Sequence, residues 1–261
     1  MSGYLPSKAE VQWYARKGIC ELARTPFQVR SMRQYLSGNV QYMSRIHNTT
    51  IEPLTGIGRH PFSAVGCGFR ETGLFDISYL VLGSHCARAQ PARAVLFDLG
   101  CARFRSAQTS TASASGDSIP LLINMYKKSC LRFDKIWAWE STKYRNWWAR
   151  VPESLKERIV FANEGVNATV FEAALLTVAP HEYVVVKLDI DDTRLEMTII
   201  DVVIKHARLV DELFFEYHYY FDGLNFGWGS LANIRHTHNA WTAVNLMARL
   251  RRLGIRAHFW V

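Results

Sequence analysis

The sequence predicts an α/β protein with a mostly parallel sheet and helices on both faces. Short apolar runs bounded by turn residues recur at Ala94–Phe97, Lys135–Trp139, Arg158–Phe161, Tyr183–Leu188 and Glu212–Glu216. Between them lie segments of helix length, and strands alternating with helices imply βαβ units and a parallel sheet. The first run is continuous and ends at Asp98-Leu99-Gly100, as a buried parallel strand does before a turn. The expected architecture is Rossmann-like.

Residues 1–90 read as a helical and irregular extension, a candidate lid, and residues 91–261 as the Rossmann-like domain. In the extension, Ala9, Val11, Ala15, Ile19 and Leu22 fall on one face of a helix between Lys8 and Tyr35. Thr50 to Gly73 carries many turn residues and reads as loop. Within the domain, Ser106–Ser118 has almost no apolar mass and is expected to be a flexible loop. Ile119–Cys130 is a helix entered through Asp117, Ser118 and Pro120. Helices are also expected over Trp147–Glu157, with a new turn at Pro152, and over Ala168–Ala179 and Arg194–His206. The last helix, Asn239–Leu253, is closed by Gly254 and followed by a strand at Ala257–Val261.

Composition narrows the class. The 261 residues are 49% hydrophobic, 13% aromatic and 21% charged, which supports a packed core and argues against global disorder. The net charge of +8 comes from scattered cations. One of the longest clusters, Arg249–Arg252, lies where a helix ends and complements its dipole, so a solvated face is favoured and no nucleic-acid partner is expected. The 5 cysteines form no CxxC pair and no zinc spacing, which fits free thiols in a reducing compartment. The N-terminus lacks the apolar core of a signal peptide, and no apolar run reaches the ~20 residues of a membrane span. The expectation is a soluble cytoplasmic protein of undetermined oligomeric state.

In an open α/β sheet the ligand lies outside the carboxyl ends of the strands. The residues just after the predicted strands are polar: Asp98 and Gly100, Glu140 and Ser141, Asn163 and Glu164, Asp189 and Asp191, Glu216 and His218. A glycine after the first strand lets the backbone approach a ligand, and an acid after the second can accept both ribose hydroxyls of a nucleotide. Asp98, Gly100, Glu140, Ser141 and Asn163 are therefore the candidate cofactor-binding residues. The spacing from Asp98 to Glu140 exceeds the usual ~20 positions, and the Ser-rich segment accounts for the excess. DLGCARF is not GxGxxG, so a tight turn with a structural Asp stands beside the nucleotide reading.

Residues 94–261 resemble FkbM-type methyltransferases, a class I group dependent on S-adenosylmethionine (AdoMet), and in particular a divergent algal or plant-like branch. The resemblance rests on AVLFDLG, IWAWES, VVVKLDIDD, LVDELFFEYH and the ending LRRLGIRAHFWV. It implies AdoMet as cofactor and methyl transfer to an oxygen of a sugar or similar small acceptor. Asp98 and Gly100 then fall on the motif that meets the methionine moiety, and Glu140 on the ribose-binding acid. Lys187, Asp189 and Asp191 fall on the K-x-D-x-E-G stretch beside the acceptor, and Glu216 and His218 on an E-x-H end. Two departures stand out: Cys101-Ala102-Arg103-Phe104 replaces AN-x-G, and Asp191-Asp192 replaces E-G.

A hydroxyl acceptor needs a base. His218 suits that role by its intrinsic pKa, and Asp189 or Asp191 could serve instead or hold a divalent cation. His218 could equally be a packed histidine between Tyr217 and Tyr219, and the three aspartates could simply cap the next helix. Lys187 and Glu216 are candidate substrate contacts. Rival readings use the same residues. D-x-D-x-T at Asp189–Thr193 resembles a haloacid-dehalogenase-like phosphatase loop, and Asp189-Ile190-Asp191 the D-x-D of a glycosyltransferase. A non-catalytic binding or scaffold protein is the alternative from another class. The aromatic stretch Tyr219–Phe226 could line an acceptor site or pack as core.

Overall fold

The computed structural model describes residues 41–43, 48–51, 80–83, 93–104, 117–218, 238 and 240–260. The expected helix at Lys8–Tyr35, most of the Ser-rich loop and the stretch Tyr219–Phe226 lie outside the described residues. The chain divides into two units, Leu82–Phe215 and Met1–Val81 with Glu216–Val261.

The first unit is a Rossmann-like α/β sheet layer. Its strands are β3 (Ala94–Leu99), β4 (Lys135–Trp139), β5 (Ile159–Ala162), β6 (Tyr183–Leu188) and β7 (Glu212–Phe215). They pair in parallel in the order β5-β4-β3-β6-β7. Every residue of β3, β6 and β7 is buried, which explains their near-continuous apolar sequences. The amino ends of two strands are tied to their neighbours by aspartates. Asp134 Oδ2 accepts from Ala94 N at 2.9 Å, and Asp211 Oδ2 accepts from Val184 N at 2.9 Å.

Helices cover both faces. α1 (Ser118–Lys128) turns Ile119, Leu122 and Tyr126 inward, and Tyr126 meets Phe214 of β7 edge to face at 6.4 Å. α3 (Ala168–Leu175) places Phe171 edge to face on Phe97, whose side chain leaves the sheet on the side opposite Asp98. α4 (Thr193–Lys205) buries Glu196, Ile199, Ile200 and Val203, a helical i, i+3, i+4, i+7 stripe, and packs beside α3. Both helices begin at a capping side chain: Asn167 accepts from Val170 N, and Asp192 from Leu195 N.

The expected helix over Trp147–Glu157 is instead a 3-10 turn at Trp148–Arg150 and a short α2 at Glu153–Lys156. Pro152 between them has no N–H to continue a helix. α3 also stops four residues before Ala179. There Ala179 N donates to the Glu182 carboxylate at 2.8 Å rather than to a helical carbonyl.

In the second unit the described elements are an antiparallel pair, β1 (Gln41–Met43) and β2 (Asn48–Thr50), helix α5 (Ala240–Arg252) and strand β8 (Arg256–Phe259). Gly254, at φ 96°, turns the chain out of α5 as expected. Two fully buried arginines bind backbone carbonyls here. Arg251 Nε donates to Ala257 O at 2.8 Å, and Arg256 donates to Val81 O. Among the described residues no helix is long and apolar enough to cross a membrane. The expectation of free thiols holds at Cys101 but not at Cys130, which is disulfide-bonded.

Candidate functional site

β3 leads to β4 on one side and β6 leads to β7 on the other, so the strand order reverses between β3 and β6. Their exits are therefore the place where a ligand meets a sheet of this kind. Parallel pairing sets Asp98 opposite Lys187, each the fifth residue of a six-residue strand. Lys187 is 1% exposed, and its Nζ lies 3.6 Å from Asp98 Oδ1 and 2.9 Å from Asp189 Oδ2. The same ammonium donates to Gly100 O at 2.5 Å. Asp98 Oδ2 accepts from Ser118 Oγ, the first residue of α1, at 2.6 Å. Burial pushes the Asp98 carboxyl above its ordinary range, against the opposing pull of Lys187 and Ser118. Lys187 thus supplies positive charge between two carboxylates.

Gly100 is required by the protein's own backbone. At φ 84° a side chain there would put Cβ 1.7 Å from the Asp189 carbonyl oxygen. The backbones leaving β3 and β6 touch at this point, and Asp189 N donates to Leu99 O at 3.1 Å.

Glu140 follows β4 and is buried, and both its oxygens are engaged. Oε2 accepts from Ala102 N at 2.8 Å and Oε1 from Thr142 N at 2.7 Å. A carboxylate offers about four acceptor positions, so each oxygen keeps one more. Ala102 sits at φ 49°, the left-handed conformation that glycine adopts freely, and its carbonyl accepts from Trp147 Nε1 at 2.9 Å. Trp147 in turn stacks on Phe161 with ring centroids 3.8 Å apart. Cys101, between Gly100 and Ala102, is a buried free thiol pushed well above its usual pKa by burial and then by the Asp98 charge.

Asn163, directly after β5, is half-buried and commits its amide to neighbouring backbone groups. Nδ2 donates to Glu140 O at 2.8 Å and to Thr142 O at 2.6 Å, and Oδ1 accepts from Tyr144 N at 2.8 Å. Lys143 Nζ adds a bond to the Asn163 carbonyl. Ser141 and Asp191 are exposed, Asp191 at φ 57°. Asp192, not Asp189, caps α4, while Ile190 N donates to Glu196 Oε1 at 3.1 Å.

One unit therefore gathers Asp98, Gly100, Lys187 and Asp189 in one cluster and Glu140, Ala102 and Asn163 in another, joined through residues 100–102. Glu216 and His218 belong to the other unit, where both are buried and His218 Nε2 lies 3.1 Å from Glu216 Oε2. Sequence reasoning missed Ser118 and Ala102 as members of the site. Their signals were weak: a serine opening a helix, and a residue two places after Gly100. Against known proteins, no protein-family model, no curated protein and no solved structure matches the chain.

Proposed function

We propose that the chain is an AdoMet-dependent methyltransferase acting on a hydroxyl oxygen of a small, sugar-like acceptor. The observation that supports this reading best is Glu140: a buried carboxylate at the end of the strand beside β3, braced by the backbone of both neighbouring loops. An acid so held presents its remaining acceptor positions in a fixed direction, as recognition of a ribose diol requires. Bound AdoMet would supply an electrophilic methyl group. The chain's own residues would bind and align the reactants, which contributes much of the rate in an in-line transfer.

Asp98 is fully buried and acts in this reading through Lys187 and Ser118 rather than by touching the methionine moiety. Asp189, held by Lys187 and partly exposed, is the group placed at the strand exit to accept the acceptor's hydroxyl proton.

Isothermal titration of the full chain with S-adenosylhomocysteine, beside Glu140→Ala, tests the proposal. Micromolar binding that the variant weakens by about tenfold or more, to a level titration still measures, supports it. Absence of binding by the folded parent overturns it and puts the non-catalytic binding protein first, a reading in keeping with the internally paired Asp98, Lys187 and Asp189.

A further inference from the structure

We infer that Asn163 is the positioning residue of the nucleotide site: it touches no ligand and sets the direction of the Glu140 carboxylate by clamping residues 140–144. The inference rests on the methyltransferase reading for the identity of the ligand, and on geometry for the clamp.

A primary amide has two N–H donors and two acceptor lone pairs. Asn163 commits both donor directions and one acceptor to the backbone of a single loop, at Glu140 O, Thr142 O and Tyr144 N. These three groups alternate along five residues. With Lys143 bonded to the Asn163 carbonyl, the loop after β4 is fastened to the exit of β5 at four points. Glu140 N also donates to Ala162 O at 3.1 Å, so the residue next to Asn163 holds the preceding peptide group of Glu140 as well. The loop itself is otherwise exposed from Ser141 to Lys143. Exposed loops without such fastening sample many conformers, and a ligand must then pay the ordering entropy. Asn163 removes that entropy before the ligand arrives.

The choice of side chain follows from the geometry. Aspartate would keep the acceptor for Tyr144 N but present an acceptor to two carbonyl oxygens. Alanine would leave all three backbone groups to solvent.

The test is a double-mutant cycle read by S-adenosylhomocysteine titration on the full chain. Asn163→Ala is expected to weaken binding by about tenfold, the scale of one to two lost hydrogen bonds. In a Glu140→Ala background the same change is expected to cost nothing further, because Asn163 acts through Glu140. An unchanged affinity for Asn163→Ala, or a loss that adds in full to that of Glu140→Ala, overturns the inference. A merely structural residue would show the additive result. Trypsin cleavage after Lys143 and Arg145, followed by mass spectrometry, reads the clamp without any ligand. Should the folded parent not bind S-adenosylhomocysteine, the methyltransferase reading fails and proteolysis decides this one. Faster cleavage of Asn163→Ala and Asn163→Asp by tenfold or more supports the clamp, and unchanged cleavage overturns it.

Discussion

Lys187 and Asp98 face each other across β3 and β6, both buried, with Nζ 3.6 Å from Oδ1. Removing the ammonium leaves Asp98 and Asp189 without their shared counter-charge. Lys187→Met is expected to destabilise the fold by about 3 kcal/mol or more, the usual consequence of leaving a buried charge unpaired. Urea unfolding at neutral pH measures it.

The raised carboxyl of Asp98 makes a pH signature. The folded chain holds this proton more tightly than the unfolded chain does. The resulting stabilisation is complete below the ordinary carboxyl pKa and is lost as pH rises through the raised folded value. Asp98→Asn cannot ionise. From about pH 4, the ordinary carboxyl value, upward, its stability should therefore gain on the parent as pH increases. Parallel urea titrations across that range check the slope, and identical slopes would contradict the assignment.

Gly100→Ala combines a left-handed backbone with a Cβ driven into the Asp189 carbonyl. The expected loss is at least about 3 kcal/mol, since neither β3 nor β6 can retreat without breaking the Leu99–Asp189 hydrogen bond. Thermal unfolding reports it directly.

Ala102→Gly works in the opposite sense. At φ 49° the methyl group is disfavoured, and glycine should stabilise the chain by about 0.5–1 kcal/mol with the bonds to Glu140 and Trp147 intact. A higher unfolding midpoint is the expected result.

Asp192→Ala should cost about 1 kcal/mol by removing the cap of α4 from Leu195 N. It should leave S-adenosylhomocysteine binding unchanged, because Asp192 has no part in holding Glu140. Chemical denaturation and titration on the same variant separate the two effects.

The strands were legible because AVLFDL, KIWAW and YVVVKL are short apolar runs closed by turn residues, and their ends fall within one or two residues of expectation. The stretch around Pro152 was not, because a run of aromatic and charged residues suits a helix locally until proline removes a donor. In the site, sequence position identified Glu140 and Asp98 as strand-end residues but did not show which protein groups they and their neighbours touch. Lys187 reads as a group offered to substrate. Its burial depends on register, and the available clue was that Lys187 and Asp98 occupy the same place in two strands of equal length. Gly100 reads as a concession to a ligand, whereas its neighbour is Asp189, 89 positions along the chain. Contacts between distant strand exits leave no mark on local composition.

Cys101 gives the molecule a clock. Its thiol is buried between the two clusters and held protonated, so an alkylating reagent cannot reach or ionise it while residues 100–102 stay closed. Each labelling event must wait for that segment to open. The rate at which the Cys101 peptide gains mass therefore reports the opening of the strand exits themselves, and any ligand that settles there should slow it.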